Sequence, residues 1–223
     1  AGRKVSLGGN IGESFAYSVA TEKNFWYVLE LSSFQLDGMT KFRADVGVLM
    51  NITPDHLDRY DYKFENYAAS KMRITQNQSS ADAFIYSADD DMTRQMLDKM
   101  DSSLRARQLP FAINTAIASG DGDAVLEGYT FTASVGKQSV TIDTRKMQIH
   151  GMHNIYNAMA AALATLAAGV EPRVIKRSIY DFSPVEHRLE PAGERNGIRW
   201  QNMICPYFYR RYLLNLLCEL LSL

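Results

Sequence analysis

Trp26-Tyr-Val-Leu-Glu-Leu-Ser-Ser-Phe-Gln-Leu36 is an apolar run that turns abruptly into polar residues. The aromatic and β-branched residues at its start favour a buried strand that carries Glu30 to its carboxyl end. In open α/β sheets, ligands bind at this edge, so Glu30 is a candidate ligand for a hard cation such as Mg²⁺. The pattern fits a helix cap equally well, with Ser32 or Ser33 as the N-cap and Gln35 satisfying a backbone amide.

A second apolar run, residues 44–53, is typical of a buried parallel strand. It is followed by Pro54-Asp-His-Leu-Asp-Arg-Tyr60, which places His56 and two aspartates directly after a strand, as at Glu30. A solvated turn also explains this segment. Lys71 falls within a predicted helix over residues 64–78, where a solvated lysine is the ordinary interpretation.

Strand and helix patterns alternate through the first half of the chain, which predicts βαβ units and a mostly parallel sheet flanked by helices. Hairpin patterns from residue 123 onward predict an antiparallel extension of that sheet. The predicted strands are 5–7, 83–87, 109–113, 123–126, 129–133, 139–142 and 146–149, and further helices are predicted at 13–21, 89–100, 151–168 and 172–180. Asn154 is the predicted N-cap of the alanine-rich helix and Gly169 ends it.

The overall composition excludes several classes of protein. The 223 residues carry a formal net charge of −1, so no basic field attracts nucleic acid or a membrane surface. The chain contains no apolar run of the roughly 20 residues that span a bilayer. Both cysteines, Cys205 and Cys218, lie near its end, which argues against a disulfide framework. We therefore expect a cytoplasmic protein.

Six segments occur together in an order and at a spacing that are typical of one family. They are Gly8-Gly-Asn-Ile-Gly12, Glu30-Leu-Ser-Ser-Phe-Gln-Leu36, Asn51-Ile-Thr-Pro-Asp-His-Leu-Asp-Arg-Tyr60, Tyr67-Ala-Ala-Ser-Lys-Met-Arg-Ile74, His153-Asn-Ile-Tyr-Asn-Ala158 and Glu186-His-Arg-Leu-Glu190. Over roughly residues 1–202 the chain resembles the ATP-dependent Mur ligases of peptidoglycan synthesis. Among these it is most similar to the branch that joins D-glutamate to UDP-N-acetylmuramoyl-L-alanine. Another branch, a folylpolyglutamate synthase and a catalytically dead remnant are the alternatives.

The resemblance implies a protein of three domains that is a monomer at full length: a UDP-binding domain, a central ATPase domain and a Rossmann-like domain. Residues 1–182 correspond to the central domain without its P-loop, and residues 183–202 to the start of the third domain. Residues 203–223 depart from the family, because Met203-Ile-Cys-Pro-Tyr-Phe208 stands where its members have Asp-Ser-Lys-Ala-Thr-Asn. We expect this leucine-rich tail not to continue the domain, although a genuine short helix is the alternative.

The resemblance also implies a reaction, in which ATP converts the muramoyl-alanine carboxylate into an acyl phosphate and the amine of D-glutamate attacks it. Glu30 and His56 would hold Mg²⁺. Lys71 matches a lysine that family members carbamylate, which would make it a third ligand and a catalytic residue. No Gly-Lys-Ser or Gly-Lys-Thr run occurs in the sequence to anchor phosphates, so this chain by itself is expected to be inactive.

The remaining implied positions concern substrate and nucleotide. Asn10, Ser32 and Gln35 would contact the UDP-muramoyl substrate. The cofactor ATP would meet Asn154 and Asn157 on its adenine side, and Arg188 would reach the nucleotide from the domain boundary.

Overall fold

A computed structural model of the protein describes residues 3–10, 12–21, 26–100, 103–117, 122–183, 191–195, 198–201 and 209–222. Its strands are β1 (Val5–Gly9), β2 (Trp26–Glu30), β3 (Val46–Leu49), β4 (Ala83–Ser87), β5 (Arg107–Ala112), β6 (Gly122–Glu127), β7 (Thr130–Val135), β8 (Gln138–Asp143), β9 (Pro191–Arg195) and β10 (Ile198–Gln201). Its α-helices are α1 (Phe15–Thr21), α2 (Ser33–Gly38), α3 (Phe64–Met72), α4 (Asp91–Met100), α5 (Met152–Ala167), α6 (Pro172–Asp181) and α7 (Tyr209–Ser222).

The predicted α/β class is confirmed, but the strands form separate sheets. The largest has six strands in the order β3-β4-β5-β6-β7-β8, parallel from β3 to β6 and antiparallel from β6 to β8. β1 and β2 pair in parallel as a second sheet, and β9 and β10 form an antiparallel pair. The two strands that carry the candidate ligands, β2 and β3, therefore belong to different sheets.

One predicted strand is wrong. Residues 146–149 do not extend the hairpins, because Thr144–Lys146 form a 3₁₀ turn directly after β8. The side chain of Asp143 accepts from the Arg145 N–H and fixes this turn, which ends the sheet. The other predicted hairpin strands are confirmed as β6, β7 and β8.

The structure corrects the predicted N-cap of α5 and confirms the predicted residue that ends it. Gly151, at φ 98°, is the N-cap instead of Asn154, so the predicted cap is wrong. Asn154 lies inside the first turn, where its Nδ2 donates to the His150 carbonyl at 2.8 Å. At the other end Gly169, at φ 74°, follows α5 and donates its N–H to the Leu166 carbonyl, which confirms the predicted stop.

Helix α5 packs against the large sheet and forms the centre of the main core. Ala158, Ala160, Ala161 and Ala162 are fully buried, because a residue without a long side chain lets the helix lie close to the strands. Helix α7 packs against α5, α6, β1 and β2. The leucines of α7 in this core are Leu213, Leu214, Leu216, Leu217, Leu220 and Leu221. None of the described helices is long and apolar enough to cross a membrane.

Candidate functional site

A cavity of about 630 Å³ lies between β2 and β3. Helices α5 and α7 supply apolar walls, through residues such as Ala164 and Leu217. The carboxyl ends of the two strands supply a polar end, where Glu30 and Asn51 lie together with Lys71 of α3. An apolar cleft with a few convergent polar groups is the usual form of a ligand site.

Glu30 contacts Asn10, the residue that follows β1. The Nδ2 of Asn10 lies 3.4 Å from Oε2 of Glu30, and the Asn10 N–H donates to the Glu30 carbonyl at 2.8 Å. Gly9 makes this approach possible, since it adopts φ 106° and a Cβ there would lie 2.3 Å from the Glu30 carbonyl oxygen. The glycine turn therefore holds the end of β1 against the candidate ligand.

Lys71 is buried, with 7% of its surface exposed, which contradicts the interpretation of a solvated lysine. Its Nζ lies 5.0 Å from the ring centroid of Tyr67, one helical turn earlier on α3. A buried lysine keeps its charge only where neighbouring groups offset the loss of hydration. Glu30, at the end of β2, and Lys71, on α3, therefore line one cavity.

His56 is not among the residues that line this cavity. It adopts φ 49°, and its Nε2 lies 3.6 Å from Oδ2 of Asp55. Its ring centroid is 5.2 Å from that of Phe34, on the helix that follows Glu30. The loop that carries His56 is thereby held next to α2.

The packing of the 54–60 loop on Phe34 is a feature that the sequence reasoning missed. The Tyr60 ring stacks on Phe34 at 6.1 Å, and the Arg59 guanidinium lies 4.6 Å from the Phe34 centroid. The Tyr60 hydroxyl also donates to Oδ2 of Asp37 at 2.9 Å, on the same helix. An aromatic residue two positions after the capping serine was the available signal, but nothing in the sequence shows that the 54–60 loop would fold over it.

Ser32 and Gln35 form the predicted capping box of α2. The Ser32 N–H donates to Oε1 of Gln35 at 2.9 Å, and the Gln35 N–H donates to Oγ of Ser32 at 3.3 Å. The helix-cap interpretation is thus confirmed. Contact with a substrate stays a prediction for both residues.

Asn154 and Asn157 lie in the first turns of α5 and are 1% and 3% exposed. The Oδ1 of Asn154 is buried without a hydrogen-bond partner among the described residues, so its acceptor capacity is available to a donor from a ligand. Burial also lowers the pKa of His153, one residue before Asn154, and favours its neutral form. Arg188 lies outside the described residues.

A hydrogen-bonded cluster around Asp89, which was not predicted from the sequence, joins α5 to the carboxyl edge of the large sheet. Oδ2 of Asp89 accepts from the Tyr156 hydroxyl at 2.6 Å and from the Ile113 N–H at 2.6 Å. Burial raises the pKa of Asp89, but the hydrogen bonds from Ile113, Tyr156, Thr115 and Asn114 outweigh it and leave the pKa below its ordinary value. Asp89 is therefore a carboxylate that positions the start of α5.

The donor set fits a magnesium ion that is shared with a phosphate group. Among the described residues, no three His, Cys, Asp or Glu side chains lie close enough to enclose a metal ion by themselves. Mg²⁺ commonly takes one or two carboxylates from the protein and completes its shell with phosphate oxygens and water. Glu30 can supply such a carboxylate, and the Lys71 ammonium can neutralise a phosphate beside it.

Comparison with known proteins gives one consistent result. The family described as the Mur ligase middle domain matches residues 10–165. A UDP-N-acetylmuramoylalanine–D-glutamate ligase from Bacteroides fragilis is 45% identical over 202 residues, which are 91% of this chain and 44% of that protein. The ligase of the same name from Christiangramia forsetii is 44% identical over 196 residues, which are 88% of this chain and 43% of that protein. The chain thus spans less than half the length of these relatives.

Solved structures agree on the fold. The MurF ligase from Thermotoga maritima, solved in complex with ADP, has a TM-score of 0.57 at 18% identity, covering 90% of this chain and 47% of that one. A pseudomurein peptide ligase type C from Methanothermus fervidus has a TM-score of 0.58 at 16% identity, covering 88% of this chain and 53% of that one.

Proposed function

The chain belongs to the Mur ligase family, and on that premise we propose that it is the middle part of a ligase that joins D-glutamate to UDP-N-acetylmuramoyl-L-alanine with ATP and Mg²⁺. The observation that carries the proposal is that Glu30 and Lys71 both line one cavity. The names of the relatives supply the substrates. Residues 1–182 would be the middle domain, and residues 183–202 the start of the next one.

The charges at the polar end suit phosphoryl transfer to a carboxylate. ATP with Mg²⁺ would supply the phosphoryl group that activates the muramoyl-alanine carboxylate. Glu30 would hold the metal through a carboxylate oxygen, and its hydrogen bond from Asn10 keeps that side chain oriented. His56 would approach from the neighbouring loop, which packs on Phe34. We expect these residues to act on charge that develops during the transfer.

Two roles are open to Lys71. As an ammonium it would neutralise phosphate charge, whereas as a carbamate it would join Glu30 as a metal ligand. Its burial supports either role, because a buried group has few competing waters. Intact mass spectrometry in bicarbonate buffer separates them, since a carbamate adds mass that acidification removes.

The other positions implied by the family extend this proposal. Ser32 and Gln35 would present the start of α2 to the UDP-muramoyl substrate. Asn154, Asn157 and Arg188 would serve the nucleotide, and the free Oδ1 acceptor of Asn154 supports that assignment.

The test is a chimera in which this chain's residues 1–202 replace the matching segment of the Bacteroides fragilis ligase. We expect ADP release that depends on both UDP-N-acetylmuramoyl-L-alanine and D-glutamate. Lys71→Ala and Glu30→Gln should each lower kcat/KM by at least about 100-fold. Lys63→Ala, an exposed lysine just before α3, is the matched control and should change it less than about twofold.

Two outcomes would overturn the proposal. An active chimera that accepts L-lysine or meso-diaminopimelate but not D-glutamate would assign another branch of the family. A folded, inactive chimera would assign a catalytically dead remnant. The chain alone should release no ADP, because its sequence contains no P-loop.

A further inference from the structure

The hydroxyl group of Tyr60 joins two helices. Tyr60 is buried, and its hydroxyl donates to Oδ2 of Asp37 on α2 at 2.9 Å. The same oxygen lies 3.3 Å from Oγ of Ser70 on α3. A tyrosine hydroxyl has one proton, so the shorter contact, which is to a carboxylate, receives it. Because Tyr60 ends the 54–60 loop, one phenol holds that loop to α2 and α3 together.

Ser70 continues this connection to the start of α2. Its hydroxyl donates to the Ser33 carbonyl at 2.9 Å, and both serines are buried. Ser33 is the first residue of α2 and follows the capping serine, Ser32, so it lies a short distance along the chain from Glu30. Lys71 is the residue after Ser70. The connection therefore ties the backbone beside one candidate site residue to the backbone just after the other.

The ring of Tyr60 makes a second connection to the same helices. Its centroid lies 5.4 Å from that of Tyr67 on α3, with the ring planes at 68°, which is the edge-to-face geometry that aromatic pairs prefer. Nζ of Lys71 lies 5.0 Å from the centroid of Tyr67. On the other helix, the Tyr60 ring stacks on Phe34. The ring thus links Lys71 to α2 through two aromatic contacts.

The backbone around Tyr60 needs such contacts. His56, Asp61 and Tyr62 have φ angles of 49°, 54° and 56°, in the left-handed region that residues other than glycine seldom adopt. Residues in this region persist only where the surrounding structure holds them. Among residues 54–62, each of which the structure describes, Tyr60 alone is buried. The position of His56 therefore depends strongly on the contacts that Tyr60 makes.

We propose that Tyr60 is a positioning residue of the phosphoryl-transfer site, which holds Glu30, His56 and Lys71 in one arrangement. The inference rests on the proposed function, in which these three residues serve Mg²⁺ and the phosphate. They come from a strand, a loop and a helix, so contacts between those segments have to maintain their relative position. Tyr60 acts through the segments that it joins, and a small displacement of reacting groups is enough to slow a reaction strongly.

The test variant is Tyr60→Phe, which keeps the ring and removes only the hydroxyl. It is made in the chimera with the Bacteroides fragilis ligase, and Tyr62→Phe, at an exposed tyrosine of the same segment, is the matched control. We expect Tyr60→Phe to lower kcat about tenfold and to leave the KM for D-glutamate within about twofold. The Mg²⁺ concentration for half of the maximal rate should rise about tenfold, because the ligands are held less well. The control should change each value less than about twofold.

A second readout uses this chain by itself and needs no ligase activity. A limiting amount of an acetylating reagent labels lysines according to their accessibility, and mass spectrometry compares Lys71 with the exposed Lys63. Tyr60→Phe should loosen α3 against α2 and raise the relative labelling of Lys71 at least about fivefold. Ser70→Ala, which breaks the same connection from its other side, should also raise it. Tyr62→Phe should leave the labelling within about twofold.

The proposal is overturned if Tyr60→Phe leaves the Mg²⁺ dependence of an active chimera unchanged, whatever happens to kcat, because the hydroxyl would then serve stability alone. Failure of both Tyr60→Phe and Ser70→Ala to fold would assign the same role and overturn it too. A wild-type chimera that releases no ADP is a failure of the proposed function. The labelling then decides whether Tyr60 positions Lys71, and unchanged labelling overturns that role.

Discussion

The Tyr156 hydroxyl donates to Oδ2 of Asp89 at 2.6 Å, joining the first turns of α5 to the loop after β4. The same carboxylate accepts from the N–H groups of Ile113 and Asn114, just after β5. One side chain therefore ties two strand ends to the helix that carries Asn154 and Asn157. A carboxylate that accepts several hydrogen bonds is a strong constraint on the groups around it.

Tyr156→Phe should destabilise the protein by about 1–2 kcal/mol, because it removes a hydrogen bond to a charged group and leaves the two backbone donors in place. Asp89→Asn should cost more, since the amide is a weaker acceptor and directs an N–H at donors. Urea unfolding followed by circular dichroism measures both changes. Tyr180→Phe, which removes a hydroxyl that accepts from the Asp143 N–H, is the control for the loss of a tyrosine hydroxyl elsewhere. Equal stability of wild type and Asp89→Asn would contradict the constraint.

The contribution of Asp89 should depend on pH. Its pKa in the folded protein is lowered, so the unfolded chain takes up a proton first as the pH falls. The stability that Asp89 adds is therefore complete above its unfolded pKa of about 4 and is lost as the pH falls through the folded value. The difference in unfolding free energy between wild type and Asp89→Asn should be constant from pH 7 to about pH 5 and should shrink below about pH 4. A difference in unfolding free energy that grows on acidification would contradict a lowered pKa of Asp89 in the folded protein.

Gly9→Ala should separate β1 from Glu30. An added Cβ would lie 2.3 Å from the Glu30 carbonyl oxygen, and φ 106° is unfavourable for alanine, so the backbone has to move. We expect a loss of about 2 kcal/mol or more. Gly128→Ala is the matched control, because Gly128 also has a positive φ but its Cβ would meet nothing within 4 Å, so about 1 kcal/mol is expected. Similar costs at both positions would argue against the close approach at Gly9.

Cys218 should report on whether α7 stays packed. Burial raises the pKa of its thiol to about 11, so little thiolate exists near pH 8. In a Cys205→Ser variant, Cys218 should react with a disulfide reagent about 100-fold more slowly than a free thiol. Leu220→Ala, which removes a fully buried side chain of α7, should accelerate the reaction by loosening the helix. Lys63→Ala, at an exposed position outside α7, is the control. A native Cys218 that reacts as fast as in urea would show that α7 is not packed.

The periodicity of apolar residues was sufficient to predict most of the strands and helices, because apolar strands and alanine-rich helices have strong local sequence patterns. β2, β4 and α6 lie close to their predicted positions for this reason. The predicted strand at 146–149 failed because a single side chain, that of Asp143, turns the backbone out of the sheet. The helix cap failed at Asn154 because Gly151, with its positive φ, starts α5 three residues earlier.

The site was only partly predictable. Position after a buried strand singled out Glu30, because that feature is local, whereas Asn10 was indicated only by the family resemblance. The burial of Lys71 and the fold of the 54–60 loop over Phe34 depend on contacts between distant segments. The Asp89–Tyr156 pair spans 67 residues and leaves no periodic signal. Such pairings follow from tertiary packing, which no window of sequence contains.

The division of the strands into two sheets has a consequence for cooperativity. Glu30 belongs to the two-stranded sheet, whereas Lys71 lies on a helix next to the six-stranded one. A parallel pair of five-residue strands has little stability by itself, so β1 and β2 are expected to open in a sub-global step before the rest of the molecule unfolds. A molecule that contacts Glu30 and Lys71 together holds β1 and β2 against the rest of the molecule and so disfavours this opening. Part of its binding free energy is therefore used to stabilise the two-stranded sheet.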